Sequence, residues 1–288
     1  MVRPLAPLVM SALSVGVFSG AEPQLATATN HPMQYYVSLP DDWTIQEKWP
    51  VLIAIEGSGK DFLDMARLYN RARTEIPFII VSPFVLTNGG TDLRRSPKYN
   101  YASEVWDEVD RIGPCKFDLG GLTSVIDDVH RKYNGETPVF ITGFSAGAHA
   151  MWAIVFKHPD LFAAAAPASG NYSGRCMDDG LFSTSENRAR LPIKEFLGRD
   201  EIGRGLDAQF AHAREEGRDH GYASMSLEVV DGDHDPHAAA VLNWFTAIVR
   251  RHDRKAGNQS SGLKSIGSSG RLIQVLAMPT TRMSAASV

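Results

Sequence analysis

The stretch Pro138-Val-Phe-Ile-Thr-Gly143-Phe-Ser145-Ala-Gly147-Ala-His-Ala-Met-Trp152 constrains this chain more than any other. An apolar run leads into Gly-x-Ser-x-Gly and then into a helix-forming stretch, the pattern of a buried strand turning sharply into a helix with a serine at the apex. Such a turn projects the hydroxyl above a sheet. The flanking glycines are needed because side chains there would collide with neighbouring backbone. The following helix directs its N-terminal N–H groups and the positive end of its dipole at the space where an oxyanion could be held. Ser145 is therefore the candidate nucleophile, and the Ala146 N–H a candidate oxyanion donor. The competing interpretation is a tight turn with an inert serine.

A serine elbow of this kind needs a sheet beneath it, and the pattern between residues 34 and 253 provides one. Short apolar runs alternate with longer amphipathic stretches, as in a mostly parallel sheet with helices on both faces. Strands are predicted at 34–39, 51–55, 78–82, 139–142, 163–168, 193–197 and 226–230. Helices are predicted at 61–73, 119–133, 146–158, 203–216 and 236–251. With 288 residues and 43% apolar content the chain can build one such domain with a substantial core. Residues 22–33 read as a linker and 254–288 as a flexible tail rich in Ser and Gly, with an apolar patch at 272–278. The polar segment 87–113 is too long for an ordinary connection and is a candidate substrate loop. Its Tyr99, Tyr101 and Trp106, with Tyr172, could line a cleft or simply pack against the domain.

A serine hydroxyl needs a histidine to take its proton and a carboxylate to orient that histidine. Downstream, Leu191-Pro-Ile-Lys-Glu-Phe-Leu-Gly198-Arg-Asp200-Glu201 is a strand ending in a turn with acids. Asp200 is the candidate carboxylate, with Glu201 the nearest substitute and an N-cap the competing use. Further on, Asp231-Gly-Asp-His234-Asp-Pro-His237 follows the last strand. His234 is the candidate base because it sits just beyond a strand end, and His237 is the alternative. The acids around His234 could suggest a metal site, but aspartates in such a loop more often serve turns and caps, so no metal or other cofactor is expected. His149 reads as packing beneath the elbow, and His158, His212, His220 and His252 as solvated or capping residues.

The second oxyanion donor should come from Glu56-Gly57-Ser58-Gly59-Lys60, a glycine-rich loop after an apolar strand. Ser58 is the first candidate and Gly57 the second. The loop lacks the Gly-x-x-x-x-Gly-Lys-Ser/Thr spacing of a phosphate-binding loop.

Leu39-Pro40, Glu56-Gly-Ser-Gly, Phe117-Asp118, Gly143-Phe-Ser-Ala-Gly147, Gly198-Arg-Asp200 and Asp231-Gly-Asp-His234 together resemble the polyhydroxyalkanoate-depolymerase and feruloyl or acetyl-xylan esterase group of α/β hydrolases, over residues 34–250. The resemblance implies a cofactor-free, secreted hydrolase of carboxylic esters in the α/β-hydrolase fold, with Ser145, Asp200 and His234 as its triad. Many members carry His-Gly where this chain has Glu56-Gly57, and a carboxylate there could repel an acidic substrate or pair with Lys60. A serine peptidase of the same fold and a non-catalytic binding protein on a hydrolase scaffold are the alternatives.

Arg3, an apolar run from Leu5 to Phe18 and small residues to Ala21 form the grammar of a signal peptide over residues 1–21, so a secreted or periplasmic location is expected. No other segment is long and apolar enough to span a membrane. Export would allow Cys115 and Cys176, the two cysteines, to form a disulfide. The net charge of -4 excludes a broad basic surface, which argues against nucleic acid and for a small or polymeric ester substrate.

Overall fold

The computed structural model describes residues 21–59, 61–89, 93–178 and 180–265, with side chains up to 254. Residues 1–20 of the expected leader, Lys60 and the apolar patch at 272–278 lie outside the described residues. Eight strands form one sheet: β1 (Gln24–Thr27), β2 (Gln34–Ser38), β3 (Val51–Ile55), β4 (Ile79–Pro83), β5 (Val139–Phe144), β6 (Phe162–Ala168), β7 (Ile193–Gly198) and β8 (Met225–Val230). Their order is β1-β2-β4-β3-β5-β6-β7-β8. The strands from β4 to β8 are parallel to one another, while β2 is antiparallel to both of its neighbours. The central strands β3, β4 and β5 are buried along their whole length, which is why they read as unbroken apolar runs.

Six helices accompany the sheet among the described residues: α1 (Phe62–Arg71), α2 (Ser103–Ile112), α3 (Pro114–Tyr133), α4 (Ala148–Lys157), α5 (Leu206–Asp219) and α6 (Ala238–Ser265). Successive side chains of a strand point to opposite faces, so β5 shows which helix covers which face. On one face, Phe140 packs its ring 4.8 Å from Phe245 of α6, and the Thr142 hydroxyl lies 3.4 Å from the Tyr69 hydroxyl of α1. On the other, Gly143 is covered by Ala148 and Met151 of α4. Both faces are therefore sealed, and a parallel sheet in this setting opens only at its strand ends. The chain divides into two compact units, residues 1–246 and 247–288; the first holds the whole sheet, and the described part of the second continues α6.

Several boundaries differ from the sequence expectation. The 22–33 linker contains β1, which pairs with β2 from Gln24 to Thr27. The 87–113 segment contains α2, where only Trp106 and Val109 are buried and the charged positions face solvent, so its apolar stripe is too narrow to stand out. Helix α3 starts earlier than expected and takes Cys115 into its first turn, and α6 runs through residues 254–265 that read as tail. The loop aromatics pack rather than line a cleft: Tyr99 and Trp106 are buried, and Tyr101 meets both of them and Phe117 edge-on or stacked. Tyr172 is also buried, edge-on to Trp152, with its hydroxyl donating to Glu216.

Cys115 and Cys176 form a disulfide that ties the start of α3 to the loop after β6, closing 61 residues of chain. A covalent link of that span removes unfolded-state entropy, worth about 2–4 kcal/mol in typical cases. Replacing both cysteines by serine should lower the free energy of unfolding by that amount in urea titrations, with the m-value rising as the unfolded chain expands. Mass spectrometry of the unreduced protein should find no alkylatable thiol.

Candidate active site

The elbow after β5 is built by close approach of backbone. A side chain at Gly147 would place its Cβ 2.5 Å from the Glu56 carbonyl oxygen, and one at Gly143 would meet the Ala148 Cα at 2.8 Å. Only glycine lets the end of β3, the turn and the start of α4 meet here. Between them Ser145 takes φ = 49°, a left-handed conformation that costs a residue with a side chain roughly 1–3 kcal/mol. That conformation lifts the hydroxyl clear of the sheet.

The Ser145 Oγ lies 2.9 Å from His234 Nε2. Across the ring, His234 Nδ1 lies 2.6 Å from Glu201 Oε1. Hydroxyl, imidazole and carboxylate thus form one hydrogen-bonded line, with the imidazole 44% exposed and the carboxylate 4% exposed. The ring of His234 rests against Phe144, 4.8 Å between centroids.

The carboxylate in this line is Glu201 and not Asp200, which corrects the sequence expectation. Residues 199–201 form a 3-10 turn after β7, in which successive side chains diverge by about 120°. The turn is fixed by the Asp200 N–H, which donates to the Gly232 carbonyl, and it leaves the Asp200 side chain exposed. Glu201 points inward, where its Oε2 accepts from the Gly198 N–H at 2.8 Å and from the Ser169 hydroxyl at 2.5 Å.

His237, the alternative base, does not reach Ser145. Its side chain is 6% exposed, its Nε2 lies 3.3 Å from Ser169 Oγ, and burial lowers its pKa below the usual imidazole value. The acids flanking His234 have local partners: Asp231 pairs with Arg199, Asp233 with Arg204, and Asp235 accepts the His237 N–H. His149 is buried at the start of α4, and burial first, then the nearby Arg175, pushes its pKa down to about 4.

Of the two donors expected from the loop after β3, Gly57 is already engaged, since its N–H donates to the Glu56 carboxylate at 2.7 Å. Ser58 is exposed, and among the described residues its N–H has no acceptor within the protein. Gly89 approaches both Ala146 and Ser58, so the segment after β4 walls the same space. That segment is held by buried Asp118, which accepts from the N–H groups of Leu86 and Thr87 and from the Thr87 hydroxyl. Burial pushes the Asp118 carboxyl up to about 7.

Sequence reasoning passed over the turn Ser169-Gly170-Asn171, where β6 ends. Asn171 donates its N–H to the Ser145 carbonyl at 2.9 Å, and its Oδ1 lies 3.4 Å from Ser145 Oγ. The Gly170 N–H donates to Glu195, a fully buried glutamate on β7 whose carboxyl burial raises well above the usual range. No motif marks this turn; its position at the end of the strand next to β5 is the one available signal.

The family model described as Putative esterase, named Esterase, matches residues 26–189. The match takes in Ser145 and stops before Glu201 and His234. No curated protein matches the sequence significantly. Among solved structures, a carboxylesterase from Mesorhizobium loti is similar with a TM-score of 0.55 at 14% identity, covering 78% of this chain and 99% of that one. The S-formylglutathione hydrolase of Staphylococcus aureus gives 0.54 at 16%, covering 83% and 100%. A thermostable esterase gives 0.51 at 17%, covering 79% of this chain, which spans 61% of that protein's length. At these identities the likeness shows the shared α/β-hydrolase fold.

Two outcomes follow from the geometry. Glu201→Gln should lower kcat on a short-chain p-nitrophenyl ester by about 100-fold or more, because the imidazole loses the anion that fixes its tautomer, while Asp200→Asn stays near wild type. Steady-state kinetics of the pair checks which acid is engaged. Glu195 keeps its proton in the folded state at pH values where the unfolded chain has lost it, so its contribution to stability falls as pH rises above about 4.3. Glu195→Gln should therefore gain stability relative to wild type progressively above that pH in denaturant titrations.

Proposed function

We propose, for a chain that belongs to the Esterase family and is a carboxylic-ester hydrolase, that it works through an acyl-enzyme formed on Ser145. The observation that carries this reading is the line from Ser145 Oγ through His234 to Glu201, with contacts of 2.9 and 2.6 Å. With its Nδ1 proton donated to Glu201, His234 presents a bare Nε2 to the serine hydroxyl. The base takes that proton as Oγ attacks the ester carbonyl, and Glu201 stabilises the imidazolium that results. The N–H groups of Ala146 and Ser58 receive the oxyanion, each such donor being worth roughly 2.7–4 kcal/mol in comparable sites. The imidazolium returns its proton to the departing alcohol, and a water activated by the same imidazole releases the acid.

The substrate in this reading is a neutral ester, either a small molecule or part of a polysaccharide or polyester. A secreted or periplasmic site of action is supported by the disulfide, which persists in oxidising compartments, together with the charged-then-apolar N-terminal pattern. No helix among the described residues is long and apolar enough to cross a membrane.

Ser145→Ala should reduce turnover of p-nitrophenyl acetate at least about a thousandfold and abolish labelling by a fluorophosphonate probe. Labelling at another residue, or undiminished turnover, would contradict the assignment. His234→Ala should fall comparably.

A further inference from the structure

We propose that Ser169 and His237 are positioning residues that keep the Glu201 carboxylate ionised and aimed at His234, a role resting on the Ser145–His234–Glu201 reading above. Among the described residues, histidines are the only basic side chains within 4.0 Å of this buried carboxylate. Its charge is therefore held by hydrogen-bond donors. Two of these are fixed in direction: the His234 ring serves Oε1 and the Gly198 N–H serves Oε2. The third, the Ser169 hydroxyl, can rotate.

Three oxygen or nitrogen atoms surround that hydroxyl. Glu201 Oε2 lies at 2.5 Å, the Asp235 carbonyl oxygen at 3.3 Å and His237 Nε2 at 3.3 Å. The hydroxyl has one proton. If His237 Nε2 were bare, it would compete for that proton; if Nε2 carries the ring proton, it donates to Ser169 Oγ and leaves the hydroxyl free to donate to Glu201. The shortest contact selects the second arrangement. His237, Ser169, Glu201, His234 and Ser145 then form a continuous chain in which two successive donors point at the carboxylate. Burial keeps the His237 ring neutral near pH 7, so the direction of the chain is set by a tautomer rather than by a charge.

The backbone points the same way. Ser169 has φ = 45° and His237 has φ = 48°, a region that disfavours any residue with a Cβ. Both residues are held there from outside the relay. Gly170 donates its N–H to Glu195 and Asn171 donates its N–H to the Ser145 carbonyl, which pins the turn after β6. The His237 N–H donates to Asp235, and Tyr69 of α1 donates its hydroxyl proton to the Pro236 carbonyl, which pins the loop before α6. The ionisable groups that bear on this chain are Asp235, Glu201 and His234 around His237, and Glu195 beside Glu201.

Removing the Ser169 donor leaves Glu201 a stronger base, which holds the His234 imidazolium more tightly. The acidic limb of the kcat/KM profile, which reports that imidazolium losing its proton, should then move to higher pH. The test is a panel of Ser169→Ala, Ser169→Gly, His237→Leu, His237→Gln, the Ser169→Ala/His237→Leu pair and Ser145→Ala, assayed on p-nitrophenyl acetate from pH 4 to 9. Ser169→Gly suits the positive φ and removes the hydroxyl without backbone strain, so it separates the relay from folding. Expected for both Ser169 variants are a kcat lower by roughly 10- to 100-fold, the range for losing a hydrogen bond to a charged group, a nearly unchanged KM and the shifted limb. His237→Leu should show the same shift, His237→Gln should restore most of the turnover by replacing the Nε2 donor, and the double variant should be no worse than Ser169→Ala. Equal losses for Leu and Gln at 237, additive effects in the double variant, or an unmoved limb would overturn the relay. Wild-type behaviour of the relay variants beside an inactive Ser145→Ala would overturn it while leaving the triad intact. Turnover by Ser145→Ala would overturn both.

Discussion

A single buried negative charge organises this site. Glu201 is almost completely covered, and a carboxylate taken out of water without a paired cation is costly unless its oxygens are satisfied by donors. The Gly198 N–H, the Ser169 hydroxyl and the His234 ring supply them. With the anion in place the imidazole has no choice of tautomer: Nδ1 carries its proton toward Glu201, and Nε2 is left to face Ser145. Without it the ring could flip or exchange tautomers, and the serine would face a donor as often as an acceptor. Glu195, also buried and close enough to repel Glu201, avoids the conflict by keeping its proton, which burial favours. One of the two neighbouring glutamates is surrounded by donors, while the other meets a single N–H.

The sheet explains how residues so distant in sequence reach one point. Adjacent parallel strands β3, β5, β6, β7 and β8 all end on the same edge. Ser58 follows β3, Ser145 closes β5, the Ser169–Asn171 turn follows β6, Glu201 follows β7 and His234 follows β8. Each crossover, through a helix or, between β6 and β7, through a long loop with one 3-10 turn, returns the chain to the start of a parallel strand, so each strand exit adds one group to a common row. The sealed faces carry the stability, and the strand ends are left to carry the chemistry. The disulfide fits this division, since it fastens the loop after β6 to the start of α3 without touching the reacting groups.

How much of this was legible depended on how each feature is encoded. Strands buried on both faces announce themselves as apolar runs, and the elbow announces itself because Gly143 and Gly147 are required by contacts that any side chain would block. Both were placed correctly from the residues alone. The acid was located to the correct turn but to the wrong neighbour, because the choice between Asp200 and Glu201 depends on the phase of a 3-10 turn set by a hydrogen bond to Gly232, some thirty residues away in sequence. The Ser169 turn carries no motif at all; its importance comes from standing beside β5 in the sheet. The aromatics of the 87–113 segment misled for another reason: their spacing suits a cleft and a helix-backed cluster equally well, and only contact with Phe117 decides between them.

Glu56 lies beside the loop that the proposed mechanism uses for the oxyanion. Its side chain is fully buried, with one carboxylate oxygen accepting the N–H of its own neighbour, Gly57. That bond engages the Gly57 N–H, so in the proposed mechanism Ser58 is the donor left to act with Ala146. The loop holding Ser58 has little freedom to rearrange, since Gly57 abuts Phe144 and Ser145 and Gly89 abuts Ser58 and Ala146. The second of these contacts is fixed in turn by Asp118 beneath the segment after β4. In the proposed reaction the oxyanion side of the site is thus assembled by two loops and a buried carboxyl from α3, and a fixed backbone receives a developing negative charge without reorganising.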